Sequence, residues 1–177
     1  TNKTRIQDYA DAIGESTAAL LKVHTSNYAI VGFTEQTKLA DMVRLAAKHR
    51  CLVIDDIGSG ALIDYARFGL NGEPVARASI EAGADVVLFS GDKLLGGPQC
   101  GIIVGRRSTV ETIKKHPLSR ALRVDKLTLG ALAATLKLYR DPELAQESVP
   151  LLALLSTSLE NLRLRAENMA PQLEALD

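Results

Sequence analysis

The chain has 177 residues, of which 46% are hydrophobic and only 4% aromatic, so one domain with a mainly aliphatic core is expected. Lysine plus arginine equals aspartate plus glutamate, at 21 each, which excludes a nucleic-acid or membrane partner selected by overall charge. Cys51 and Cys100 have no metal-binding spacing and predict no disulfide framework, and no apolar stretch is long enough to cross a bilayer. A reducing, cytoplasmic setting fits this composition.

Strands and helices alternate through the first part of the chain. The patterns predict strand 20–24, helix 37–49, strand 52–55, helix 76–82, strand 86–89 and strand 101–104. Such alternation is typical of a parallel sheet with right-handed crossovers, so the first three strands are predicted to be parallel. The link 95–100 is too short for a helical crossover, and the fourth strand is therefore predicted to be antiparallel.

The pattern becomes helical after Arg106. It predicts helices 109–116, 126–139 and 150–176, with Pro117 ending the first and Pro171 kinking or restarting the last. The Asp141-Pro142 break suggests a division into 1–142, part of a large domain, and 143–177, the helical start of a C-terminal domain. The apolar face of the last helix needs a partner from a second domain or subunit, and it includes Leu151, Leu152, Leu155, Leu159 and Leu162.

Polar side chains follow the predicted parallel strands, where ligands bind in open α/β sheets. They are Thr25, Ser26 and Asn27, then Asp55 and Asp56, then Ser90, Asp92 and Lys93. A lysine that loses hydration at the mouth of a sheet can attack a carbonyl group. An amine, a carboxylate and hydroxyl donors at one edge suit pyridoxal 5'-phosphate, which needs an amine for its aldehyde, an anion against its ring nitrogen and donors for its phosphate.

Four stretches resemble the bacterial selenocysteine synthase family, L-seryl-tRNA(Sec) selenium transferases of the fold-type I pyridoxal phosphate class. They are Lys-Val-His-Thr-Ser-Asn-Tyr at 22–28, Ile-Asp-Asp-Ile-Gly-Ser-Gly-Ala at 54–61, Ala-Asp-Val-Val-Leu-Phe-Ser-Gly-Asp-Lys-Leu-Leu-Gly-Gly-Pro-Gln at 84–99 and His-Pro-Leu-Ser-Arg-Ala-Leu-Arg-Val-Asp-Lys-Leu-Thr at 116–128. The resemblance covers nearly the whole chain. It implies part of the fold-type I large domain, with a mainly parallel sheet and one antiparallel strand, followed by C-terminal helices.

The resemblance implies that Lys93 is the lysine that binds the cofactor aldehyde. It also implies that Asp55 holds the protonated ring nitrogen. Asp56 competes for that role, but the strand pattern favours Asp55, because Val53 and Asp55 share a face.

Other family roles fall on residues around these two. Ser90 matches a hydroxyl that contacts the cofactor phosphate, and Asn27 resembles the polar residue that contacts the ring hydroxyl. Arg120 and Arg123 match basic residues that face the selenium donor. Asp92, if protonated, is the candidate acid for the leaving hydroxyl group.

The implied reaction is β-replacement, in which selenophosphate converts seryl-tRNA(Sec) to selenocysteinyl-tRNA(Sec) in a homo-oligomer. One alternative is a related lyase acting on a phosphorylated amino sugar acid, which Asp92 and the pair Arg120 and Arg123 disfavour. Another is an assembly module without chemistry. The family's glycine-rich phosphate loop, ring-stacking residue and tRNA-gripping domain are expected upstream of this sequence. The chain alone is therefore expected to bind the cofactor weakly and to lack full activity.

Overall fold

A four-stranded sheet, built in chain order, forms the centre of the fold in the computed structural model, which describes residues 2–176. Its strands are β1 (Ala19–Val23), β2 (Leu52–Gly58), β3 (Val86–Ser90) and β4 (Gly101–Gly105). β1, β2 and β3 are parallel, and β4 is antiparallel to β3. This confirms the predicted α/β sheet, although β2 continues past the predicted end at residue 55.

The predicted helices up to residue 139 are present, to within two residues at either end. The helices are α1 (Ile6–Ala12), α2 (Leu39–His49), α3 (Ala76–Glu81), α4 (Arg107–Lys115), α5 (Pro117–Ala121), α6 (Lys126–Leu138), α7 (Pro142–Ser148), α8 (Pro150–Leu155) and α9 (Leu159–Glu174), with a 3₁₀ helix at Tyr65–Phe68. Pro117 ends the predicted helix 109–116, and Pro142 lies at the predicted break. In the structure Pro117 also begins α5, and Pro142 begins α7. Proline suits the first helical position because that residue's N–H has no helical partner.

One core packs α2 against the first two strands. Leu20 on β1, Met42 and Ala46 on α2, and Val53 on β2 are buried together. Burial of each large side chain contributes about 1.5–3 kcal/mol to stability. Residues on β2 alternate between faces, so Val53, Asp55 and Ile57 are buried on this face of the sheet. The pattern that builds the core thus also buries a carboxylate.

A second core joins the loop region after β2 to the C-terminal helices. Ala61 and Tyr65 from the earlier region pack with Ala145, Val149 and Leu152. The expectation that the whole apolar face of residues 150–176 needs a partner outside the chain is therefore wrong for its first turns. The domain division at 142/143 stays a prediction.

The final segment is not one helix interrupted at Pro171. It breaks earlier, where α8 ends at Leu155 and Ser158 caps α9 by accepting a hydrogen bond from the Asn161 N–H at 3.2 Å. A serine that satisfies a free N–H is a strong helix start. Pro171 lies inside α9, whose apolar residues stay exposed, among them Leu159 and Leu162. Within residues 2–176 no helix combines the length and apolarity needed to span a membrane.

Candidate active site

Three loops converge at the carboxyl ends of the parallel strands. Lys93, after β3, donates from Nζ to Ser26 Oγ at 3.2 Å, and Ser26 follows β1. Ser26 also lies against Gly58 at the end of β2, where a Cβ would come within 2.7 Å of Ser26 Oγ. The close contact at Gly58, with φ +62°, accounts for glycine at this position. The sheet therefore brings together the amine and the hydroxyl that the sequence placed at one edge.

Asp55 is a buried carboxylate with an unmet hydrogen-bonding atom. Its exposure is 2%, and its Oδ1 atom has no hydrogen-bond donor among residues 2–176. Lys22 Nζ lies 3.9 Å from Oδ1, which is an ion-pair distance but too long for a hydrogen bond. Lys22 is the residue opposite Asp55 in the β1–β2 register. A buried carboxylate that lacks a donor is costly and suits a cationic N–H group from a ligand.

Asp56 is placed differently from its neighbour. Its Oδ1 accepts a hydrogen bond from the Gly58 N–H at 3.0 Å, and it is only half-buried. Successive residues of a strand face opposite sides, so Asp56 lies on the face opposite Asp55. The two carboxylates of this pair therefore do not share one site.

The other predicted site residues are less enclosed. Ser90 ends β3 and is half-buried, at the edge of a groove that Asp56 also lines. Asp92 and Asn27 are exposed in the loops that carry Lys93 and Ser26.

Arg120, on α5, and Arg123, just after it, are exposed. Neither arginine side chain has a hydrogen bond or ion pair within residues 2–176. The roles of all the predicted site residues stay predictions.

Contacts with these residues include several that the sequence interpretation did not assign. Lys22 pairs with Asp55, and Ser26 accepts from Lys93. Tyr65 and Tyr139 donate to the backbone just after Lys93. The signal for Lys22 was its position on the strand beside β2, but the register that pairs it with Asp55 is not readable from one sequence.

His24 and Glu73 form a further pair close to this edge. His24 follows β1, and its Nε2 atom lies 3.5 Å from Glu73 Oε2. Both atoms are shielded from solvent and lack a hydrogen-bond partner in the described chain. Over the same residues, no group of three histidine, cysteine, aspartate or glutamate side chains could hold a metal ion.

Comparison with known proteins gives one family. The family model for SelA, L-seryl-tRNA selenium transferase, matches residues 1–176. The L-seryl-tRNA(Sec) selenium transferase of Alkaliphilus metalliredigens is 54% identical over 177 residues, all of this chain and 38% of that protein. The enzyme of the same name from Solidesulfovibrio magneticus is 54% identical over 170 residues, covering 96% and 36%. The chain thus spans less than two fifths of the length of these curated relatives.

Two solved structures share the fold. D-glucosaminate-6-phosphate ammonia-lyase superimposes with a TM-score of 0.60 at 23% identity, covering 78% of this chain and 34% of that one. A double mutant of Thermus thermophilus aspartate aminotransferase superimposes with a TM-score of 0.56 at 18% identity, covering 98% and 42%. These likenesses establish the fold and nothing further about chemistry.

Proposed function

Because the chain belongs to the L-seryl-tRNA selenium transferase family, we propose that it supplies the central part of an enzyme that makes selenocysteinyl-tRNA(Sec). The substrates are seryl-tRNA(Sec) and selenophosphate, and the cofactor is pyridoxal 5'-phosphate. The active enzyme is a homo-oligomer in the cytoplasm, where aminoacyl-tRNA is made and used. Parts of the polypeptide outside this chain supply most of the contacts with tRNA.

The observation that carries the proposal is the unmet Oδ1 atom of Asp55. This oxygen is buried, lacks a hydrogen-bond donor and lies on the strand between those that lead to Ser26 and Lys93. A protonated pyridine nitrogen is a cationic donor of the kind that a buried carboxylate requires. The amine of Lys93 is available for an aldehyde, since its one hydrogen-bond partner within residues 2–176 is a neutral hydroxyl. The residues present therefore fit pyridoxal phosphate.

The remaining roles follow from residue chemistry. When bound, the cofactor supplies an aldehyde for the substrate amine and a protonated ring that withdraws electrons from the α-carbon. Asp55 holds the proton on the ring nitrogen through Oδ1. Ser90 donates a hydrogen bond to the phosphate, and Asn27 contacts the ring hydroxyl. Lys93 Nζ removes the proton from the α-carbon of the seryl group.

The chain also has candidate groups for the leaving and entering atoms. Asp92, in its protonated form, gives a proton to the departing hydroxyl oxygen. Arg120 and Arg123 bind the oxygens of selenophosphate, since a guanidinium group offers two parallel N–H donors to such an anion.

Absorbance tests the cofactor assignment. The full-length protein that carries this sequence is titrated with pyridoxal phosphate, and a visible band that borohydride abolishes is expected. Lys93→Ala should remove the band. Lys48→Ala should keep it, because Lys48 is an exposed residue in the last turn of α2. A band that persists in Lys93→Ala, or no band in the parent protein at saturating cofactor, would contradict the proposal.

Turnover tests the substrate assignment. The same protein is incubated with seryl-tRNA(Sec) and selenophosphate, and the amino acid released from the tRNA is identified by mass spectrometry. Selenocysteine is the expected product. Ammonia released from a phosphorylated amino sugar acid, with no selenocysteine formed, would instead identify a lyase.

A further inference from the structure

The backbone that follows Lys93 is fixed by hydrogen bonds from the N–H groups of Leu94 and Gly96. The Leu94 N–H donates to the Ser59 carbonyl oxygen at 2.8 Å, which ties this loop to the loop after β2. The Gly96 N–H donates to the Lys93 carbonyl at 2.9 Å and closes a turn. Two backbone N–H groups of the loop that carries the Lys93 amine therefore have fixed hydrogen-bond partners.

Two tyrosine hydroxyls satisfy the carbonyl side of the same loop. Tyr65 donates to the carbonyl oxygen of Leu94. Tyr139 donates to the Leu95 carbonyl at 2.9 Å and approaches that of Leu94 at 3.4 Å. The Leu95 side chain is fully buried, and a buried carbonyl group needs a donor. These donors reach the first two carbonyls after Lys93.

The tyrosines are themselves held by the second core. Tyr65 is fully buried in the 3₁₀ helix after β2 and packs in the cluster with Val149 and Leu152. Tyr139 follows α6 and lies against the same cluster. Both hydroxyls are thus fixed by packed aromatic rings rather than by mobile side chains.

Both hydroxyls remain donors over a wide pH range. Burial raises the pKa of Tyr65, and the neighbouring Tyr139 and then Glu73 raise it further. Burial also raises the pKa of Tyr139, although the neighbouring Tyr65 hydroxyl opposes this. Neutral phenol is the form that can donate to a carbonyl group.

We propose that Tyr65 and Tyr139 are positioning residues for Lys93. Their hydroxyls fix the two carbonyls that follow the lysine, and this holds Nζ at the carboxyl edge of the sheet beside Ser26. The inference rests on the proposed function, because the position of Nζ matters to catalysis only if Lys93 binds the cofactor. Small displacements of a reacting group cost large factors in rate.

The first measurement needs no cofactor. Tyr139→Phe, Tyr65→Phe and the double variant are made in the full-length protein that carries this sequence. Tyr9→Phe is the matched control, because Tyr9 also donates its hydroxyl to a backbone carbonyl, that of Leu21, at 3.2 Å. Amide hydrogen exchange in a peptide covering 94–97 should speed up about 10-fold in Tyr139→Phe, and not in Tyr9→Phe.

The second measurement follows Lys93 itself. After pyridoxal phosphate is added to cofactor-free protein, the borohydride-sensitive visible band should form about 10-fold more slowly in Tyr139→Phe than in Tyr9→Phe. The double variant should be slower still. The rate of band formation reports the placement of Nζ. A general loss of stability would not slow Tyr139→Phe more than Tyr9→Phe.

The outcomes separate this inference from the proposed function. Exchange in 94–97 that is the same in Tyr139→Phe and Tyr9→Phe overturns the inference, whatever the cofactor does. Faster exchange with an unchanged rate of band formation also overturns it, because the loop would then move without consequence for Lys93. If the parent protein forms no band while exchange responds as expected, the proposed function is what fails.

Discussion

Gly60 is the position where a single methyl group should most disturb the candidate site. It has φ +78°, and a Cβ there would collide with the carbonyl oxygen of Ser90 and press on Phe89 Cδ2 at 3.3 Å, while Leu95 Cβ at 3.5 Å would be an ordinary contact. Gly69 has nearly the same φ, +81°, but a Cβ there would meet no atom within 4 Å. Gly60→Ala and Gly69→Ala therefore share the cost of a positive φ and differ in the collision.

The two variants predict different losses of stability. An L-residue in the left-handed region costs about 1–2 kcal/mol, which is all that Gly69→Ala should lose. Overpacking adds about 1–3 kcal/mol at Gly60, since the obstructing atom is backbone and cannot rotate away. Gly60→Ala should therefore lose about 2–5 kcal/mol of unfolding free energy. It should also weaken pyridoxal phosphate binding, because relief of the collision moves the end of β3, from which the Lys93 loop begins.

Urea unfolding followed by circular dichroism measures both free energies by linear extrapolation. Absorbance titration measures the cofactor affinity of each variant. The reasoning would be refuted by losses that agree to within about 0.5 kcal/mol, because the close approach of Gly60 to Ser90 would then cost nothing. Equal cofactor affinities in the two variants would refute the link to the site.

Two further predictions concern carboxylates. Asp55→Asn should weaken pyridoxal phosphate binding about 10- to 100-fold, since the negative charge that faces the protonated ring nitrogen is lost; absorbance titration checks this, and an unchanged affinity would rule out Asp55 as the ring partner. Hydrogen bonds from the backbone N–H and hydroxyl of Thr128 lower the pKa of Asp125, the N-cap of α6, below its usual 3.8. Its stabilising effect should be complete above about pH 4 and disappear as pH falls through the lowered folded-state pKa. Urea unfolding at neutral and acid pH measures this loss, and Asp125→Asn, which keeps a capping oxygen, should reduce it; an equal loss in both proteins would contradict the reasoning.

Local patterns predicted the sheet because each strand is a short apolar run with turn residues beside it. The antiparallel β4 followed from the length of one link, since a chain of that length cannot cross over the sheet. The block around Lys93 was recognisable because its residues are contiguous. These features need no knowledge of how distant parts of the chain meet.

The missed features depend on contacts between distant residues. Lys22 lies beside Asp55 only in one register of two strands, and apolar patterning fixes which face a residue occupies rather than its neighbour. The apolar face of α8 has the same pattern whether it packs on its own chain or on another. Ser158 defined the start of α9 by a capping bond, whereas proline alone had suggested a break at Pro171.

The tyrosine contacts also set the order in which the site can be completed during synthesis. Tyr139 lies 44 residues after Leu95, the residue whose carbonyl it holds. At a synthesis rate of about 5–20 residues per second, the ribosome adds that length in about 2–9 s. Throughout this interval the nascent chain already contains Lys93 but not Tyr139. We therefore expect capture of the cofactor to be a late event, which follows the emergence of α6 rather than that of the lysine.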